Sequence, residues 1–98
     1  MNRRMMIIFV DESHADDVAQ ILEACEVIGY SEVRGVLGKG ATGRKLGSRA
    51  FPGSSTCFMA AMTEECSVDL TRRLEALRDA KGTEEGLKLF AVGAHELI

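Results

Sequence analysis

The chain has 98 residues with a formal net charge of −3, 46% hydrophobic and 28% charged residues. That is the make-up of one globular domain, residues 1–98, with a single modest core. A net acidic chain lacks the dominant basic field that general nucleic-acid binding requires, and no apolar run reaches membrane-spanning length.

The three cysteines, Cys25, Cys57 and Cys66, cannot all pair and show no C-x-x-C spacing. Met1–Arg4 followed by the apolar Met5–Val10 imitates the start of a signal peptide, but the run stops at Asp11-Glu12. These features predict reduced thiols in a cytoplasmic protein.

Met5–Val10 is a continuous apolar run bounded by acids, the pattern of a buried central strand. Ser13-His14-Ala15-Asp16 has capping-box spacing, with Ser13 as the acceptor for the first free N–H groups. Ala15, Val18, Ile21, Leu22 and Cys25 then share one face of a helix, and Gly29 is placed to end it. Tyr30–Leu37 reads as a second strand in which Gly35 marks a bulge or a close approach to the backbone.

Thr56–Met62 is a third strand and Thr63 or Ser67 opens a second helix, with Leu70, Leu74 and Leu77 as its apolar stripe and Gly82 at its end. Leu87–Val92 is a fourth strand, and His95–Ile98 a short tail. The predicted order is β-α-β-β-α-β. This gives an α+β, ferredoxin-like domain with a four-stranded antiparallel sheet and two helices on one face. Ile8, Val10, Phe58 and Phe90 give the strands enough apolar residues for both sides, and the uncovered face is expected to mark an oligomer interface.

A long loop joins strands two and three, residues 38–55. All fifteen acids lie outside Val33–Thr63, whereas Arg34, Lys39, Arg44, Lys45 and Arg49 lie inside it. The segment is too rich in glycine and too poor in apolar periodicity to predict helix or strand. Spare N–H groups and cations on such a loop suit a phosphate, a carboxylate or an acidic partner surface. The simpler alternative is a solvated hairpin tip.

Several motifs are only apparent. Gly38–Gly43 matches G-x-G-x-x-G, and Gly38 to Lys45 approaches a P-loop, but the glycines and Pro52 that follow exclude the helix both require. His14 and His95 are isolated and the cysteines lack metal-ligand spacing, so no metal site is predicted. No catalytic set can be drawn. Asp16-Asp17 and Glu64-Glu65 are acids at helix starts, where the dipole favours them. An aromatic RNA-binding motif is absent.

In order along the chain, several strings resemble the PII family of trimeric signalling proteins. Ala15-Asp16-Asp17-Val18 running to Gly29 is similar to its "LDDV…GVTG", and Ser31-Glu32-Val33-Arg34-Gly35 to its "TEVKG" before the T-loop. Glu85-Gly86-Leu87-Lys88-Leu89-Phe90-Ala91-Val92 partly resembles "GDGKIFV". The family's "GFGRQKG" is here Gly35-Val36-Leu37-Gly38-Lys39-Gly40, without the glutamine that helps to hold 2-oxoglutarate. The T-loop tyrosine is missing as well, and no lysine follows Pro52. The resemblance therefore implies a divergent PII-like relative rather than a nitrogen sensor.

What the resemblance implies is a homotrimer, not an enzyme, with adenine nucleotide (ATP, ADP or AMP) in clefts between subunits. Gly35, Leu37, Gly38, Lys39, Gly40, Gly86 and Lys88 would line the ligand site. Arg44, Lys45, Arg49 and Phe51 would contact a target enzyme or membrane transporter from a mobile loop. The alternatives are a metal-linked tolerance trimer and a small phosphatase-like enzyme. The latter rests on Val33-Arg34-Gly35-Val36, which faintly resembles the acylphosphatase "VQGV".

Overall fold

The computed structural model describes residues 2–40, 43–45, 54–82 and 86–98. Strand β1 (Asn2–Asp11) alternates, with Met6, Ile8 and Val10 buried on one side. It is central because both of its edges are paired. β5 (Ser55–Met62) lies along one edge with Ile8 opposite Phe58, and β6 (Leu87–His95) along the other with Ile8 opposite Leu89. β2 (Ser31–Val36) adds to the far side of β5, giving an antiparallel sheet in the order β2-β5-β1-β6. Helices α1 (Ala15–Ala24) and α2 (Glu64–Lys81) complete the ferredoxin-like βαββαβ arrangement.

Period two in the strands meets period 3.6 in the helices on one side of the sheet. Met6, Ile8, Val10, Phe58, Ala60 and Met62 form one core with Val18 and Leu22 of α1 and Leu70 and Leu74 of α2. Ile21 and Leu77 are only partly buried at its border. Each fully buried leucine contributes about 1.5–3 kcal/mol relative to exposure.

The helix ends show which local signals operate. Thr63 caps α2, its hydroxyl accepting from the Cys66 N–H at 3.2 Å, and Gly82 ends it in the left-handed conformation at φ +64°. Ahead of α1 the expectation is corrected: Ser13 caps nothing but donates its N–H and hydroxyl to Asp11, which caps the turn before the helix, and His14 at the head of α1 makes no side-chain cap bond. A single 3-10 turn, Glu12–His14, intervenes before α1.

α1 also ends earlier than Gly29. Its last turn closes at Cys25, and Glu26 takes the left-handed conformation at φ +59°. That early reversal lets Val27 and Tyr30 pack back on the core. β6 extends through His95, so that residue pairs with Asn2 rather than starting the tail.

The open face of the sheet is apolar too, and of the four residues expected to serve both sides only Phe90 lies on it. Ile8, Val10 and Phe58 all point to the helices. Register places Ile7, Phe9, Met59, Phe90 and Val92 on the opposite side. Phe90 and Val92 are 55% and 53% exposed, and the Phe9 and Phe90 rings meet edge to face at 6.5 Å. No helix among the described residues is long and apolar enough to cross a membrane.

Leu74→Ala is expected to lower unfolding free energy by about 2–5 kcal/mol in urea titration, and Leu77→Ala by clearly less, because Leu77 is only partly buried. Equal losses would mean that the helix is packed on a different face.

Candidate ligand site at one end of the sheet

Antiparallel pairing gathers four chain segments at one end of the sheet. Val36 lies opposite Ser55, Asp11 opposite Ser55 on the other side, and Val10 opposite Leu87. The exit of β2, the entry of β5 and the turn before β6 therefore all open at this end. Gly35, Leu37 and Gly38 lie on the β2 side and are exposed; Gly86 and Lys88 lie on the β6 side. Both groups of expected ligand residues thus reach the same end of the molecule.

They do not meet within one chain. β2 and β6 are the two edges of the sheet, separated by β5 and β1. At a strand spacing of about 4.8 Å, those edges stand about 14 Å apart.

Gly35 makes a real bulge. The β2–β5 register shifts between Val33 and Val36, and Gly35 sits at φ +70°. A Cβ there would meet nothing within 4 Å, so the glycine answers to backbone conformation and not to close packing.

Beyond it, the segment expected to be neither helix nor strand forms a short ribbon. β3 (Gly38–Gly40) pairs with β4 (Gly43–Lys45), with Lys39 opposite Arg44. Glycine lowers strand propensity, yet a tight antiparallel reversal needs little side-chain packing to satisfy its backbone. Arg49 and Phe51 lie outside the described residues, as do the side chains of Lys39, Arg44 and Lys45.

One cation of the acid-free stretch is already engaged. Arg34 donates to Glu32 and, at 3.4 Å, to Asp16 of α1. Its hydrogen bond to Glu32, more than the charge of either acid, holds the guanidinium above its ordinary pKa. Arg34 therefore ties β2 to α1.

Two further residues were not singled out from sequence. The Glu12 N–H donates to the Ser54 carbonyl at 2.9 Å, and the Ser54 hydroxyl donates back to the Glu12 carboxylate at 2.5 Å. The adjoining Asp11 N–H donates to the Gly86 carbonyl at 2.8 Å. Asp11-Glu12 looks in the sequence like the polar end of a strand, and only pairing brings residues 54 and 86 to it.

A groove of about 410 Å³ lies on the helix side, floored by Leu74, Leu87 and Leu89 and bordered by Arg78 and Glu75. Arg78 is paired with Asp79 at 3.2 Å. Among the described residues no group of three or more His, Cys, Asp or Glu could hold a metal ion. Burial pushes the Cys25 and Cys57 thiols up, and for Cys25 the Asp69 carboxylate adds to it. Both stay neutral near pH 7 and are poor nucleophiles.

No protein-family model matches the sequence, and no curated protein matches it. Solved structures do match by fold. CPII of Thiomonas intermedia K12, a nitrogen regulatory PII-like protein, is similar with a TM-score of 0.80 at 20% identity, over 96% of this chain and 87% of that one. The chain has the PII-like fold.

A protein of Thermus thermophilus assigned to PII-like signalling is similar at 13% identity with a TM-score of 0.68, over 96% and 88% of the two chains. A functionally unknown protein of Pediococcus pentosaceus is similar at 13% with 0.58, over 99% and 95%. The CPII structure holds ADP, AMP and bicarbonate. In this PII-like fold the long connection leaves β2 just after the Gly35 bulge.

Two measurements bear on these assignments. Gly35→Ala should cost about 1–2 kcal/mol, the strain of a left-handed alanine, and Gly35→Asn less; equal losses would point to a steric cause. Because burial raises both thiol pKa values, the folded state binds more protons between the ordinary thiol value and the raised one. Stability is then full at neutral pH and falls as pH climbs through that window. Urea midpoints from about pH 7 to about pH 10 should show this decline, and Cys25→Ser/Cys57→Ser should flatten it.

Proposed function

We propose that this protein is a cytoplasmic, trimeric PII-like regulatory binding protein that takes an adenine nucleotide between subunits and acts on a partner through its basic loop. The observation that carries the reading is the split site. Gly35–Gly40 leave one sheet edge and Gly86 and Lys88 the other, at the same end of the sheet. A neighbouring copy brings the β6 edge of one chain beside the β2 edge of the next, and a ring of three closes the arrangement. The apolar open face, with Ile7, Phe9, Met59, Phe90 and Val92, supplies the surface that such a ring buries.

The glycines near the β2 exit let a ligand approach the backbone, and Lys88 offers a charge for phosphate. The likeness to CPII, solved with ADP, AMP and bicarbonate, supports the ligand class. Arg44, Lys45, Arg49 and Phe51 lie in the connection between the two halves and are the residues assigned to the target, an enzyme or a membrane transporter. The protein performs no catalysis in this reading.

Light scattering should give a trimer at micromolar concentration, and ADP at about a hundred times its Kd should stabilise the protein by about 2.7 kcal/mol. Lys88→Ala should weaken ADP binding about tenfold in calorimetry, the loss of one charge-assisted phosphate contact. Joint replacement of Arg44, Lys45 and Arg49 by alanine should leave ADP binding intact and abolish target capture. A monomer that ignores ADP and AMP overturns the reading.

A further inference from the structure

Three hydrogen bonds at the end of β1 tie the residue before β5 and the residue before β6 to one dipeptide, Asp11-Glu12. Ser54 ends the long connection and is 5% exposed. It is held reciprocally by Glu12: backbone N–H to carbonyl at 2.9 Å and hydroxyl to carboxylate at 2.5 Å. One residue earlier, the Asp11 N–H holds the Gly86 carbonyl at 2.8 Å, and Lys88 follows shortly after that glycine. Asp11 is itself fixed, since its carboxylate takes the Ser13 N–H at 3.1 Å and the Ser13 hydroxyl. The dipeptide therefore has little freedom to yield at one contact without moving at the other.

We propose that Asp11-Glu12 is a joint that sets the position of the Gly86–Lys88 turn according to how Ser54 is held, with Glu12 as its positioning residue. The inference rests on the ligand-site reading above for its consequence and on the hydrogen bonds alone for its existence. In a ring of copies the β2 exit and the β6 entry of one chain face different neighbours. A change at Ser54 beside one cleft is then transmitted through Glu12 and Asp11 to the turn that serves the next. The coupling is local: it passes through one peptide unit and needs no long path of packed side chains.

The Asp11 amide reports directly on its bond to Gly86, which makes the test independent of any ligand. In ligand-free protein, amide exchange followed by NMR should show Ser54→Ala speeding the Asp11 amide about tenfold, since a hydrogen bond to a charged group is lost next door. Glu12→Ala should do the same. Glu12→Gln should stay near the wild-type rate, because its amide oxygen still accepts from the hydroxyl. The Ile8 amide, at the centre of the sheet, should not change in any variant.

The joint is overturned if Asp11 exchange in Ser54→Ala stays within about twofold of wild type, or if Ile8 speeds up equally, which would mark global opening instead. ADP titration of the same samples separates the two readings. Glu12→Ala should weaken ADP binding and Glu12→Gln restore it. If wild type ignores ADP while Asp11 still responds to Ser54→Ala, the nucleotide reading falls and the joint stands.

Discussion

The structure depends on one constraint: β1 is paired on both edges and apolar on both faces, while helices cover only one of them. Met6, Ile8 and Val10 bury against α1 and α2, whereas Ile7 and Phe9 remain on the open side with Met59, Phe90 and Val92. Strand geometry allows no compromise, since successive side chains must point to opposite faces. Two helices of 10 and 18 residues can satisfy one of those faces. The other is left uncovered, and the proposed assembly rests on that surplus.

Pairing also decides where chemistry can occur. Antiparallel strands of similar length put the β2 exit, the β5 entry and the β6 entry at one end of the sheet. The order β2-β5-β1-β6 then sends two of them to opposite edges. In the proposed reading a ligand that needs both is shared between chains, which makes assembly and binding one problem. The same topology brings Asp11 and Glu12 between the two segments, which is why a pair of acids at a strand's end holds both Ser54 and Gly86.

Electrostatics refines the simple picture of a basic loop on an acidic domain. Arg34 is committed to Glu32 and Asp16 and stitches β2 to α1. Its charge serves the folded body before it can serve a ligand. The thiols are similarly placed for packing, since Cys25 and Cys57 are buried and kept neutral by burial.

The sequence by itself determined the element order, the core and the stronger helix signals. Val18, Leu22, Leu70 and Leu74 repeat at helical spacing, Met5–Val10 cannot be exposed on both sides, and Thr63 and Gly82 bound α2 as their chemistry requires. Gly35 was legible as a bulge because few other residues tolerate its conformation. Ranges of a few residues carry such information. Contacts between distant segments do not announce themselves in this way. Asp11 engaging Ser13 in a 3-10 turn, Glu26 turning the chain before Gly29, and Ile7 and Phe9 forming the open face were decided by the tertiary structure. So was the meeting of Glu12 with Ser54, 42 positions away. Spacing within a segment fixes which face a residue belongs to, but only the assembled sheet fixes which face is covered and which ends meet.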